Sequence, residues 1–114
     1  MAKRKPRKPR RKAATSDYTD AEGNVLTLRQ ELSAGTIRKL GEGPASAAAS
    51  IDDAWQRREE ALFERLVVRW EVAGLPIDEQ AMLVGRYRMA SSEERRWVRE
   101  TIARHLEEFI PELA

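Results

Sequence analysis

Residues 51–76 read IDDAWQRREEALFERLVVRWEVAGLP, and the spacing of their apolar residues sets the expected fold. Ile51, Trp55, Leu62, Phe63, Leu66, Val67 and Trp70 recur at steps of three and four, as on one face of a helix. Ser50 offers an N-cap, and Asp52 and Asp53 fall in the first turn, where the helix dipole favours negative charge. Gly74 suits the left-handed residue that follows a helix, and Pro76 cannot extend one. The pattern predicts a single helix over 51–73.

Downstream, a second helix is expected from an Asp78 N-cap to about Met89. Ala81, Met82, Gly85 and Met89 mark one face, with Leu83 and Tyr87 nearby, and Gly85 would let another helix approach closely. Ser91 with Glu94 three residues later fits a capping box. The last helix should run over 92–110 on a stripe of Trp97, Val98, Ile102, His105, Leu106, Phe109 and Ile110, ended by Pro111.

Upstream, GEGPASAAAS (41–50) reads as a linker. Leu28, Leu32, Ile37 and Leu40 suggest a short amphipathic helix over 29–40, weakened by Gly35. DYTDAEGNVLTL (17–28) reads as a hairpin turning at Glu22-Gly23-Asn24, with Leu26 and Leu28 on one strand face and Val25 and Thr27 on the other. An isolated hairpin is marginal in water, so it must pack on the helices or pair with another chain. Residues 1–16 should be disordered, because Pro6 and Pro9 block helix and like charges repel. The expected fold class is therefore mainly α. A bundle of three main helices fills 51–114, a hairpin and short helix fill 17–40, and a basic tail precedes them.

The segments YTDAEGNVLTLR (18–29), LFERLVVRWEVAGLP (62–76) and RYRMASSEERRWVRE (86–100) resemble small hypothetical proteins of actinobacteria. That resemblance implies a helical fold and no activity. LPIDEQAMLVGRYRMASSEERRWVRE (75–100) is loosely similar to the helix-turn-helix of sigma-factor region four, matching at Leu75, Pro76, Leu83, Val84, Arg86 and Tyr87. The glycine-containing turn before a recognition helix is missing and only one helix remains after residue 91, so a sigma-like reader is not expected.

Charge points to a class of partner. The 114 residues carry a net charge of +2, yet Lys3, Arg4, Lys5, Arg7, Lys8, Arg10, Arg11 and Lys12 place eight bases in ten residues with no acid among them. The remainder holds 13 bases against 19 acids, a net of −6. Such a segment can track phosphates, and basic arms often bind nucleic acid. Its Lys-Pro-Arg steps resemble an AT-hook but lack the central glycine of the Arg-Gly-Arg-Pro core, which argues against minor-groove reading. An acidic protein surface is the alternative target. Anionic membrane is a weaker one, because no amphipathic or lipidated anchor lies beside the tail.

A second basic face could form from Arg86, Arg88, Arg95, Arg96 and Arg99, interleaved with Tyr87 and Trp97. Intrahelical pairing with Glu93, Glu94 and Glu100 would quench it. Trp55, Trp70 and Trp97 lie on apolar stripes and read as core rather than as stacking platforms. His105 with Glu108 is the sole start of a metal site, and one histidine cannot build a carboxylate-bundle centre. A satisfied, partly buried histidine is the expected role.

There is no cysteine, so disulfides, thiolate zinc sites and thiol catalysis are excluded. A reduced cytoplasm is the expected location. No apolar run approaches the ~20 residues that span a bilayer. No P-loop, dinucleotide glycine pattern or nucleophile elbow appears, and no enzyme, cofactor, metal or small-molecule substrate is expected. The expected function is a non-enzymatic accessory protein. Its tail binds DNA or RNA, and its body docks on a protein partner or self-associates.

Overall fold

The computed structural model describes residues 14–42 and 51–114, with side chains from residue 56 in the second stretch. The chain builds a four-stranded antiparallel sheet carrying helices, and not a three-helix bundle. Strands β1 (Thr15–Thr19) and β2 (Val25–Arg29) precede helices α1 (Ala34–Gly41) and α2 (Ile51–Leu66). Strands β3 (Val67–Val72) and β4 (Leu75–Ile77) follow, then α3 (Gln80–Arg88), α4 (Ser92–Phe109) and a 3-10 turn at Pro111–Leu113. The strands lie side by side in chain order.

The helix expected over 51–73 stops at Leu66, and the chain continues directly as β3. Three physical features favour strand after Leu66. Val67, Val68 and Val72 are β-branched and suit a pleated surface. Pairing puts Thr27 opposite Arg69 but Leu28 opposite Val67, so Val68 is an extra, bulged residue. The bulge switches the face parity of β3, so Val67 and Trp70 are both 2% exposed although three residues apart. A strand with a bulge thus reproduces the three-residue step of a helix.

Gly74 does not end a helix either. Ala73 (φ 53°) and Gly74 (φ 80°) form the two-residue loop between β3 and β4, with left-handed backbone at both positions as a type I′ turn requires. The buried Asn24 side chain braces this turn, its Oδ1 accepting from the Ala73 N–H at 3.0 Å.

β1 and β2 form a hairpin that turns through Gly23 (φ 87°), with Asp20 Oδ1 accepting from both the Glu22 and Asn24 backbone N–H groups. Thr15 and Ser16, expected in the disordered stretch, belong to β1. Of its two expected places, Leu28 takes the strand face beside Leu26 and not the helical stripe, and α1 begins only after Ser33, whose hydroxyl accepts from the Thr36 N–H. Of the expected linker, Gly41 closes α1 and Glu42 caps it, while 43–50 lie outside the described residues. α3 starts two residues past the expected Asp78 cap, after Glu79, and no side chain caps it. The capping box of Ser91 and Glu94 is formed at the start of α4.

One sheet face carries the core. Tyr18, Leu26, Trp70 and Ile77 align across the four strands, and Leu28 pairs with Val67. Against them pack Leu62, Phe63 and Leu66 of α2, Leu83 and Tyr87 of α3, and Val98, Ile102 and Leu106 of α4. Phe63 stacks on Tyr87 with centroids 4.5 Å apart and meets Trp70 edge-on at 5.9 Å. On the opposite face Asp17, Thr19 and Arg69 are exposed. Among the described residues no helix is long and apolar enough to cross a membrane.

Candidate nucleic-acid interface

Lys3, Arg4, Lys5, Arg7, Lys8, Arg10, Arg11 and Lys12 lie outside the described residues, and the chain enters the fold at Ala14, whose carbonyl accepts from the Gln30 N–H. The second basic face is described in full. α3 and α4 are joined by a three-residue turn, Met89 to Ser91. This turn brings Arg88 beside the first two turns of α4, which carry Arg95, Arg96 and Arg99. α2 runs alongside and supplies Glu59 and Glu60. The resulting depression has a volume of about 770 Å³ and is lined by these four arginines, both glutamates, Gln56, Tyr87 and Ser92. Arg86 is not part of it. Its guanidinium lies over the Trp70 ring, 5.2 Å from the centroid, and binds Glu94 at 2.8 Å.

Quenching differs from the intrahelical pattern that spacing suggested. Arg88 donates to Glu60 at 2.9 Å and Arg99 to Glu59 at 3.0 Å, so the acids come chiefly from α2. Arg86 bridges to Glu94 across the α3–α4 turn. Arg95 and Arg96 make no ion pair among the described residues. Burial raises the Glu59 carboxyl above the ordinary range, outweighing Arg99 and Arg95. Glu94 is held below that range by the hydrogen bond from Arg86.

A second depression of about 250 Å³ adjoins the first, with Leu62, Ile102, Leu106 and Leu113 as apolar walls. The two share Glu59, Tyr87 and Arg99. Tyr87 is 4% exposed, stacked on Phe63, and its hydroxyl has no hydrogen-bond partner among the described residues. Burial and the nearby Glu59 raise its pKa. Arg58 ties α2 to the C-terminal turn by donating to the Leu113 carbonyl at 3.0 Å.

His105 is fully buried, and both ring nitrogens are engaged. Nε2 lies 2.7 Å from the Arg29 carbonyl, which can only accept, so Nε2 carries the proton. Nδ1 then accepts from the Tyr18 hydroxyl at 2.7 Å. Burial lowers the imidazole pKa, which favours this neutral form. No nitrogen remains for a metal, and no group of three or more His, Cys, Asp or Glu gathers among the described residues. Trp70 is core, and Trp97 is half-buried against it. The side chain of Trp55 lies outside the described set.

Spacing alone placed the arginines together but missed their α2 partners. Nothing in the sequence marks Glu59 and Glu60 as partners of these arginines; packing of α2 against α3 brings Glu60 to Arg88, and packing against α4 brings Glu59 to Arg99. The Tyr18 partner of His105 has no local signal at all, being 87 residues away. The chain matches no known family, no curated protein and no solved structure.

Proposed function

We propose that this chain is a non-enzymatic accessory protein of the cytoplasm that binds nucleic acid through residues 3–12. Its acidic body docks on a protein partner or on a second copy. Charge segregation carries the reading: eight cations in ten residues, then a remainder of net charge −6. Ten residues span up to ~33 Å when extended, enough to follow several phosphates. Phosphate contacts position without specifying, so little sequence preference is expected. The acidic body repels phosphate and keeps binding at the tail. Absence of cysteine suits a reducing compartment.

The test compares the full chain with a variant whose eight bases in 3–12 become glutamine. Binding to duplex DNA, structured RNA and polyglutamate is measured by fluorescence anisotropy. The reading expects preference for a nucleic acid over polyglutamate, and loss of that binding in the variant. Equal binding to every polyanion defeats it. That outcome favours an adaptor whose tail contacts an acidic protein surface. Exposed apolar side chains at Leu75 (71%), Met82 (58%) and Met89 (84%) would suit the body of such an adaptor.

A further inference from the structure

The two adjoining depressions between α2 and α4 form one groove with a cationic end and an apolar end, joined at Tyr87. Hydrogen-bonding capacity is left over in it. Tyr87 is 4% exposed and lines both depressions, and its hydroxyl makes no hydrogen bond among the described residues but reaches the groove surface, where a ligand can meet it. Arg95 and Arg96 line the cationic end without an ion pair among those residues. Guanidinium forks match phosphate oxygens. The apolar end has Glu59, Arg99 and Glu107 at its margin, so acceptors and a donor border an apolar wall. A heterocyclic base has polar edges to meet them. An alkyl chain would desolvate the same groups without compensation.

We propose that this groove binds a nucleotide unit, with its phosphate on Arg95 and Arg96 and its base in the apolar end beside Tyr87. The unit is either a free nucleotide or one residue of a single strand. For a strand, the proposal rests on the nucleic-acid reading of the tail; for a free nucleotide it stands without it. The cationic end is a local exception in an acidic body, so one or two phosphates fit where a long duplex would be repelled.

The test is isothermal titration of the full chain with adenosine 5′-monophosphate, uridine 5′-monophosphate, inorganic pyrophosphate and a 5′-phosphorylated single-stranded octanucleotide. R95Q/R96Q changes two side chains outside the core and should keep the fold, checked by circular dichroism. It is expected to weaken mononucleotide binding roughly tenfold or more, as for lost charge-assisted hydrogen bonds. Y87F removes one hydroxyl and is expected to cost about threefold. Pyrophosphate should bind more weakly than either mononucleotide. Mononucleotide binding as tight as octanucleotide binding identifies a free ligand, and a large octanucleotide advantage that R95Q/R96Q abolishes identifies a strand. The proposal is overturned if no nucleotide binds, if R95Q/R96Q binds as well as the native chain, or if pyrophosphate matches the nucleotides. The glutamine variant of 3–12 separates the two readings. It should keep mononucleotide binding and lose duplex binding. Duplex binding that survives defeats the tail alone, and absent mononucleotide binding defeats the groove alone.

Discussion

Replacing Tyr18 by Phe isolates the contact that fastens the edge strand β1 to α4. The Tyr18 hydroxyl donates to His105 Nδ1 at 2.7 Å, and the rings meet edge-on with centroids 5.6 Å apart. Phe keeps the ring and its packing. It leaves Nδ1 as an acceptor without a partner on a fully buried residue. Leaving such a group unsatisfied costs about 1–3 kcal/mol. A domain near this size shifts its Tm by about 4–8 °C per kcal/mol, so Tm should fall by at least about 4 °C. Urea denaturation followed by circular dichroism reads the same quantity. The pH dependence gives a second readout. Burial lowers the folded-state pKa of His105, so the unfolded chain takes up the proton first. The contribution of neutral His105 is present above the unfolded pKa of about 6.5 and is lost as pH falls from there through the lowered folded value. The slope cannot exceed about 1.4 kcal/mol per pH unit for one group. H105F should flatten stability between about pH 7 and about pH 5.5, above the range where carboxylates titrate. A Y18F stability within about 0.3 kcal/mol of the native chain, or an unchanged pH profile in H105F, would refute the assignment of these hydrogen bonds.

Two further substitutions test the local reading. A73N places an asparagine at φ 53° in the type I′ turn, where alanine is strained, and should raise stability by about 0.5–1 kcal/mol in urea melts. Thr101 is 2% exposed and its hydroxyl has no partner among the described residues, so T101V should stabilise the protein by about 1 kcal/mol in the same assay; a loss of that size would mean the hydroxyl is satisfied in solution.

α4 was legible from sequence because it is long and signed at both ends, by the Ser91–Glu94 capping box and by Pro111. The β1–β2 hairpin was legible from alternation of Leu26 and Leu28 with Val25 and Thr27. β3 was not, because the bulge at Val68 gives Val67 and Trp70 a helical step while Leu62, Phe63 and Leu66 supply a true helix just before them. The contrary signals were composition and turn chemistry: three valines in six residues, then Ala73-Gly74 between two extended segments. Periodicity counts apolar positions and cannot register an inserted residue. The arginine cluster shows the same limit. Spacing put Arg95 and Arg99 on one helix face, but convergence with Arg88 depends on the turn at Met89–Ser91, and neutralisation by Glu59 and Glu60 depends on α2. The separation of Arg86 from that cluster follows from its seat over Trp70, a residue read as part of a helix from spacing alone.

Residues 3–12 are the proposed nucleic-acid contact, and the salt dependence of binding tests them most directly. Affinity of the full chain for a short duplex is followed by anisotropy from low to physiological salt. If all eight bases engage phosphates, log K should fall against log salt with a slope near about −7. In the glutamine variant the slope should collapse toward zero. A steep slope that persists in the variant, or a native slope near zero, would contradict the assignment of nucleic-acid binding to this segment.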